Sequence, residues 1–227
     1  MRILHKKQPR RTNRFTRGKI LIRNRNLLVA ALATLISSTT AAQEMNTFEP
    51  VDSVYRGSWT FHGELFNFDK QVARYEGISD SGYGLGAGYS GEKGLFNFNV
   101  GLGVILIDDK DKFDQLVEDN DGDVSTKSSS ISAVTANIDA GIQYPVSRNG
   151  NFVLGLNVGF RELEAEREIS NCRNCYTEGV GLGGETYFKP FVKMTFSNRF
   201  DGTLALYSYT GDKGLDNSLQ FNFHWKR

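Results

Sequence analysis

The strongest constraint on the fold of this chain is its last stretch, residues 218–227. Large apolar side chains alternate there with polar ones, which is the period of a β-strand with one apolar and one polar face. The apolar positions are Leu219, Phe221, Phe223 and Trp225, and the polar positions are Gln220, Asn222 and His224. A strand this apolar would promote aggregation with open edges, and closing a sheet into a barrel removes all edges. The stretch therefore predicts the closing strand of a β-barrel.

Residues 1–42 have the composition of a secretory signal peptide. The segment 1–26 carries ten basic residues and no acidic one. The apolar run 27–36 that follows is too short to span a bilayer, and the small residues after it predict cleavage behind Ala42. A nucleic-acid-binding arm is the alternative, but such an arm has no use for the apolar run. We therefore expect a signal peptide over 1–42, a periplasmic leader over 43–53 and a barrel over 54–227.

Removal of the signal peptide changes the charge of the chain. The formal net charge of +1 becomes −9, because ten basic residues and no acidic one are lost. An acidic mature protein argues against nucleic acid as a partner. No apolar run after Ile36 approaches the ~20 residues of a membrane helix.

Seven further segments alternate in the same way and bring the predicted strands to eight. They are residues 55–66, 82–88, 95–107, 130–144, 152–161, 179–196 and 203–210. Phe66 and Phe68 fall out of phase with the first strand and predict a bulge or a strand end there. Pro190 predicts the same in the sixth, since it has no N–H for the ladder. In the seventh, either face could be the apolar one, and its orientation stays open.

The links between these strands alternate in length. Residues 90–93, 145–151 and 197–202 are short links, whereas 67–80, 108–127, 162–178 and 210–217 are mostly longer. Short turns at one rim and long loops at the other are typical of outer-membrane barrels. Bulky aromatic residues on the apolar face suit lipid, and Gly, Asn and a few charges on the other face suit a narrow filled lumen. We therefore predict an eight-stranded antiparallel up-and-down transmembrane β-barrel with both termini periplasmic; a soluble lipocalin-type barrel is the alternative.

In this architecture the chain resembles the small outer-membrane barrels of the OmpA transmembrane domain and OmpX type. The resemblance depends on the signal peptide, the eight segments and the aromatic ending at Phe223 and Trp225, which Lys226 and Arg227 follow here. It covers the mature chain as an architecture and includes no motif peculiar to one family. It implies a place in the outer membrane of a Gram-negative bacterium, with outer-membrane lipid, lipopolysaccharide and the barrel-assembly machinery as partners.

Seven ionisable side chains fall on the predicted inward face of the barrel. They are His62, Glu64, Asp139, Arg161, Glu185, Lys189 and His224. An unpaired charge in a poorly hydrated interior costs several kcal/mol. We therefore expect a structural network of salt bridges that plugs the lumen, as in the barrels that the chain resembles. A proton or ion path and a catalytic pair are the alternatives.

Some small barrels of this build are lipid A deacylases or acyltransferases. Acyl transfer needs a nucleophile beside a base that a third group orients. The mature chain has two histidines, His62 and His224, and no recognisable motif places a serine beside either one. We therefore predict a non-enzymatic barrel without a cofactor, in a structural or surface-interaction role whose extracellular ligand is unknown. A lipid A-modifying enzyme and a narrow ion or small-solute channel are the alternative functions.

The third long loop contains the two cysteines of the chain, Cys172 and Cys175. Because the compartment of an exported protein is oxidising, we expect a local disulfide between them. A redox motif would need a helix N-terminus and a thioredoxin-like surround, and two cysteines make only half a zinc site.

The second long loop is strongly acidic. Asp119, Asp121 and Asp123 have the spacing that opens a calcium loop, but Val124 and Ser130 stand where that motif needs Gly and Glu. A solvated acidic loop is the expectation. Weak divalent-ion binding that bridges to lipopolysaccharide phosphates is the alternative.

Overall fold

β-Strands dominate the part of the chain that the computed structural model describes. Residues 54–118, 122–147, 150–169 and 175–226 are described, and all lie within one unit, Pro50–Arg227. In chain order the elements are β1 (Tyr55–Phe68), α1 (Lys70–Glu76), β2 (Ile78–Lys93), β3 (Phe96–Asp109), β4 (Asp114–Glu118), β5 (Val124–Ser128), β6 (Ser130–Pro145), β7 (Phe152–Glu168), β8 (Thr177–Val180), β9 (Glu185–Ser197), β10 (Phe200–Tyr209) and β11 (Leu215–Lys226). Within these ranges, no helix is long and apolar enough to cross a bilayer.

Eight of these strands close into an antiparallel barrel. Around it they run in the order β1, β2, β3, β6, β7, β9, β10 and β11, and β11 returns to pair with β1. The predicted closing strand is β11, in which Trp225 lies opposite Trp59 of β1 and Phe200 of β10. The closed eight-stranded barrel confirms the predicted fold.

The exterior of the barrel is apolar along its middle. On β3, the side chains of Leu102 and Leu106 are 69% and 65% exposed, whereas Asn97 on the opposite face is 6% exposed. Leu85 of β2 and Phe61 of β1 are likewise exposed. An apolar outer belt around a polar interior is the arrangement of a transmembrane barrel, and the prediction that the bulky face points outward is confirmed.

The two ends of the barrel differ. At one end, which we call the turn end, residues 94–95, 146–151 and 198–199 link the strands, and β1 begins beside the end of β11. At the other, the loop end, the links contain α1, the β4–β5 hairpin and β8, which extends the wall by pairing with residues 165–168 of β7. The alternation of short and long links is therefore as predicted.

Towards the loop end the hydrophobic phase of the wall inverts. On β7, Phe160 points outward, but beyond it Leu163 and Ala165 point inward with 2% exposure each. Glu162 and Glu164, which alternate with them, are exposed on the outside. This part of β7 is apolar inside and polar outside, as in a soluble barrel, and the inversion marks the end of the apolar belt on this strand.

The inversion affects two of the predicted strands, the first and the fifth. The bulge or strand end predicted at Phe66 and Phe68 is confirmed, because the register against β11 shifts between Asn67 and Phe68 and β1 ends at Phe68. Both rings continue the inward face of Glu64, with 1% and 2% exposure. The strand predicted over 152–161 continues to Glu168, so the third long link is shorter than expected. On the turn-end side of the inversion, polar residues face inward and apolar residues face outward. The strands were predicted from this pattern.

The sixth and seventh predicted strands also differ in detail. The sixth is divided into β8 and β9, and β9 runs through Pro190 without a bulge or an end. Its pairing with β10 is interrupted beside Pro190, where Leu206 and Tyr207 have no partner in register, and resumes unchanged at Phe188. β10 turns Thr203, Ala205, Tyr207 and Tyr209 into the lumen, which settles its orientation.

Candidate functional site: the barrel lumen

The structure places the seven predicted lumen residues inside the barrel. Their exposed fractions are 5% for Glu64, 2% for Asp139, 0% for Arg161, 3% for Glu185 and 6% for both Lys189 and His224, and His62 is half-buried. They do not form one network. Two of the three charge clusters described below contain predicted residues, and Glu185 and His224 have other partners.

The first cluster is an ion pair across the barrel between Glu64 of β1 and Arg161 of β7. These strands are four apart in either direction around the sheet, so they lie on opposite walls. Nη1 and Nη2 of Arg161 donate to Oε1 and Oε2 of Glu64 at 2.5 and 3.0 Å. Gln220 Nε2 donates to the same carboxylate at 2.8 Å, and so does the Ser218 hydroxyl. A bidentate pair with further donors has the geometry that buried charges need.

Aromatic rings surround the guanidinium of Arg161. Its Cζ lies 4.6 Å from the ring centroid of Tyr207 and 5.1 Å from that of Phe66, and Nη1 donates to the hydroxyl of Tyr209. The cation therefore has acceptors at its edge and π-faces around it. The tyrosines were not predicted as lumen residues, because the orientation of their strand could not be assigned from the sequence.

The second cluster surrounds Asp139 of β6. Its carboxylate accepts from Lys189 Nζ at 2.5 Å, from the Tyr187 hydroxyl at 2.8 Å and from Asn99 Nδ2 at 2.7 Å. Asn157 also donates to it. The four donors come from β3, β7 and β9, so one carboxylate connects these strands to β6.

The third cluster lies nearest the turn end, and sequence reasoning missed its ion pair. Lys193 Nζ of β9 donates to both oxygens of Glu92 of β2 at 2.7 Å. Gln143 donates to Glu92 at 2.9 Å and accepts from Lys193 at 3.2 Å. β2 and β9 are again four strands apart. Glu92 had been placed in a turn and Lys193 follows Pro190, so neither was assigned to the lumen.

Glu185 has a different role from the ion pair expected of it. Its carboxylate accepts from the backbone N–H groups of Gly211, Lys213 and Leu215 at 3.1, 2.6 and 3.3 Å. It faces Arg161 across the β7–β9 ladder, but its carboxylate turns to the link between β10 and β11. Glu185 thus holds this loop over the barrel wall.

The histidines do not form a catalytic triad in the described structure. Nδ1 of His224 lies 3.4 Å from the Ser58 hydroxyl and Nε2 lies 2.9 Å from the Thr203 hydroxyl, so both ring nitrogens face hydroxyl groups. Asp201, the nearest acid along the ladder, pairs instead with Lys226 at 2.7 Å. All of these side chains lie in the lumen near the turn end, away from lipid.

His62 lies where two neighbouring strands lack side chains on their inward faces. A Cβ at Gly86 would stand 2.4 Å from Nε2 of His62, and one at Gly103 would stand 3.5 Å from it. Among the described residues, no group forms a hydrogen bond with the His62 ring. The glycines of β2 and β3 therefore leave room for a ring whose polar atoms lack a protein partner.

The loop end of the lumen is closed by apolar side chains. This loop-end core consists of Phe66, Phe68, Ala73, Ile78, Ile105, Ile107, Ile131, Ala133, Leu163, Ala165, Val180, Leu182 and Leu215. Its buried side chains come from six barrel strands together with β8, α1 and the link after β8. Among the described residues, these buried side chains fill this part of the lumen.

The helix α1 covers this core. Asp69 caps its first turn by accepting from the N–H groups of Gln71 and Val72, and Gly77 ends it with a φ of 66°. Nη2 of Arg167 donates to the carbonyl of Glu76 at 2.8 Å, and Nε donates to Asp109 at 3.1 Å. The guanidinium thus joins the carboxyl end of α1 to the wall of β3.

The remaining predicted sites lie wholly or partly outside the described residues. Asp119, Asp121 and Cys172 are not among them, whereas Asp123 precedes β5 and Cys175 precedes β8. The disulfide and the weak divalent-ion loop therefore stay predictions. Among the residues that are described, no three metal-binding side chains come together in a group.

Comparisons with known proteins agree in architecture only. No protein-family model and no curated protein matches the chain. The chain is similar to the crystal structure of Neisserial surface protein A, with 8% identity and a TM-score of 0.46 over 76% of this chain and 96% of that one. Ail, the attachment invasion locus protein of Yersinia pestis, is 7% identical, with a TM-score of 0.47 over 78% and 99%. The N-terminal β-barrel domain of Pseudomonas aeruginosa OprF is 11% identical, with a TM-score of 0.36 over 74% and 99%.

Proposed function

We propose that this protein is a small outer-membrane barrel of a Gram-negative bacterium with a closed lumen and a structural or surface-interaction role. The observation that carries the proposal is the way in which the lumen is filled. The Glu64–Arg161 pair crosses it, and the loop-end core closes it beyond that pair. A barrel filled by its own side chains offers no channel, so its interactions take place on its outer surfaces.

In this proposal the turn end faces the periplasm and the loop end faces the cell exterior. Outer-membrane lipid contacts the apolar belt, lipopolysaccharide surrounds the loop end, and the barrel-assembly machinery inserts the exported chain. The support is the inverted wall of β7 and the β4–β5 hairpin, which present polar residues beyond the belt. Loops beyond the membrane are where recognition by such barrels is carried out.

Conductance measurements test whether the lumen is closed. Purified protein inserted in a planar lipid bilayer should show no channel openings, because neither the pair nor the loop-end core leaves a water path. Regular single-channel steps from the wild-type protein would replace the proposal with a channel. The variant Asp80→Ala changes a charge at the outer rim and should stay equally silent.

Proteolysis of intact cells tests the orientation. Trypsin should cleave at Lys112 or Lys127 beside the β4–β5 hairpin and should leave Lys93 and Lys226 at the turn end intact. Cleavage at Lys93 in intact cells would reverse the orientation. The variant Lys112→Gln with Lys127→Gln should lose the cleavage.

Lipid A analysis tests the absence of acyl-transfer chemistry. Mass spectrometry of lipid A from cells that express the wild type or His62→Ala should give the same acyl-chain pattern as cells without the protein. Loss or gain of a chain that depends on the wild type would make the protein an enzyme. His224→Ala is the second variant, since His224 is the other histidine of the lumen.

A further inference from the structure

Between the crossed ion pair and the turn end, the lumen contains a polar chamber that the closed-barrel proposal does not use. Its volume is about 40 Å³, and its lining includes His62, Asn97, Asn137 and His224. A second cavity of about 170 Å³, the vestibule, lies at the turn end and is lined by Ser58, Thr195 and Lys226 among others. The two cavities follow one another along the barrel.

Polar groups in the chamber lack protein partners. Asn97 is 6% exposed; its Oδ1 accepts from Asn157 at 2.6 Å, but its Nδ2 has no hydrogen-bond partner among the described residues. The half-buried ring of His62 lines the same chamber. Burial of a donor without a partner destabilises the fold, so a ligand with acceptor atoms belongs here.

The charges around the chamber decide the class of that ligand. Lys189 pairs with Asp139 and Lys193 pairs with Glu92, so each cation of the lining has its own carboxylate. An added ion would lack a counter-charge and would pay for desolvation. The unmatched groups are a neutral amide and an imidazole, which water satisfies as both donor and acceptor. Since one water needs roughly 10–15 Å³ of such space, the chamber has room for two or three.

The chamber adjoins the vestibule at the turn end. Glu92, Gln143 and Lys193 line both the chamber and the vestibule, so the third charge cluster is the constriction between the two. On the opposite side, Tyr207 and Gln220 line the chamber and are hydrogen-bonded to each other at 2.8 Å. Gln220 also binds Glu64, so the crossed ion pair and the loop-end core lie directly beyond.

We propose that the turn half of the lumen is a blind water chamber, which binds two or three waters at Asn97 and His62 and exchanges them with the turn end alone. The Glu92–Gln143–Lys193 cluster sets the rate of exchange. The chamber makes the imidazole of His62 accessible from the periplasm, although the barrel does not conduct. This inference concerns water entry and not conduction, so its failure is distinct from that of the closed-barrel proposal.

Exchange of the C2 hydrogen of His62 with deuterium measures water at this ring directly. The protein is folded in lipid vesicles, transferred to D₂O, digested and analysed by mass spectrometry, with the urea-unfolded protein as reference. A hydrated chamber should give a rate within roughly tenfold of the reference. A dry lumen would exchange only through global unfolding, at a rate lower by a factor of roughly a thousand or more.

Variants at the two ends locate the entrance. Gln143→Ala widens the constriction without removing a charge and should raise the His62 rate by at least roughly twofold, and Thr195→Phe narrows the vestibule and should lower it by as much. Arg167→Ala loosens α1 at the loop end and should leave the rate unchanged. An unfolding-limited rate in both the wild type and Gln143→Ala would show that the chamber is dry. Acceleration by Arg167→Ala but not by Gln143→Ala would place the entrance at the loop end, and either result overturns the inference.

Discussion

The two halves of the lumen hold opposite walls of the barrel together by opposite means. In the half beside the lipid belt, ion pairs such as Glu64–Arg161 and Glu92–Lys193 span the interior. In the loop-end half, the core around Ile105 and Leu163 packs apolar side chains as a soluble protein does. On β7 the outer face follows this change, because it is apolar at Leu156 and Phe160 and polar from Glu162 onward.

The difference follows from what surrounds each half. Beside lipid, the apolar side chains of a strand face outward, and alternation leaves the polar ones to fill the interior, where they must pair. Beyond lipid, water surrounds the wall, so the same alternation turns apolar residues inward and their burial stabilises the fold. The chain therefore builds a membrane barrel and a soluble-type barrel from continuous strands, with the change of phase on β7 after Phe160.

The largest loss of stability is expected when one charge is removed from the half of the lumen beside the lipid belt. Arg161→Ala leaves the carboxylate of Glu64 buried without its cation, which should lower the free energy of unfolding by roughly 3–5 kcal/mol. Urea unfolding in lipid vesicles measures it. The double variant Arg161→Met with Glu64→Gln removes both charges and should recover much of the loss. An unchanged midpoint for Arg161→Ala would show that the pair does not stabilise the barrel.

The next effect separates apolar packing from lipid contact on a single strand. Leu163 and Leu156 both belong to β7, but Leu163 is 2% exposed in the loop-end core and Leu156 is 48% exposed on the belt. Leu163→Ala leaves a cavity and should cost roughly 3–4 kcal/mol. Leu156→Ala loses only the transfer of its methyl and methylene groups, about 2 kcal/mol, because lipid chains fill the space. Equal losses in the same urea titration would contradict the inversion of the wall.

A smaller effect is expected where the loop end is held by hydrogen bonds. Glu185→Ala removes the acceptor of three backbone N–H groups, those of Gly211, Lys213 and Leu215, and should cost roughly 1–3 kcal/mol. The link between β10 and β11 should also become sensitive to protease. Glu185→Gln keeps one acceptor oxygen and should lie between the wild type and Glu185→Ala. If Glu185→Ala were as resistant as the wild type, the carboxylate would not hold this loop.

The sequence predicted the architecture well because alternation is a local signal. Eight alternating segments and their link lengths sufficed for the closed barrel and for the lipid-facing side of β3 and β11. The segment 162–168 was misread as a loop because alternation persists through it while its hydrophobic phase changes. The local pattern of apolar and polar residues does not indicate that the surroundings of the strand change from lipid to water.

The pairing of side chains inside the lumen could not be predicted from the sequence. Glu64 and Arg161 are 97 positions apart and meet only because their strands lie on opposite walls. Glu185 shares the inward face with Arg161, but a nearby loop offers its carboxylate three N–H donors. Glu92 and Lys193 were not recognised as lumen residues, because Glu92 was assigned to a turn and Lys193 follows Pro190. An inward face can be read from a period of two residues, but partners across a barrel depend on register and closure.

The smallest effect is expected at the cysteines, in the link between β7 and β8. If Cys172 and Cys175 are joined to each other, their bond closes a very short loop, and its entropic stabilisation should fall below the ~3 kcal/mol typical of a 15-residue loop. No residue of this link belongs to the three charge clusters or to the loop-end core described above. The double variant Cys172→Ser and Cys175→Ser should therefore assemble and keep its heat-modifiable gel mobility. Thiol labelling of the native protein should be low and should rise after reduction; strong labelling before reduction, or failure of the double variant to assemble, would contradict a dispensable disulfide.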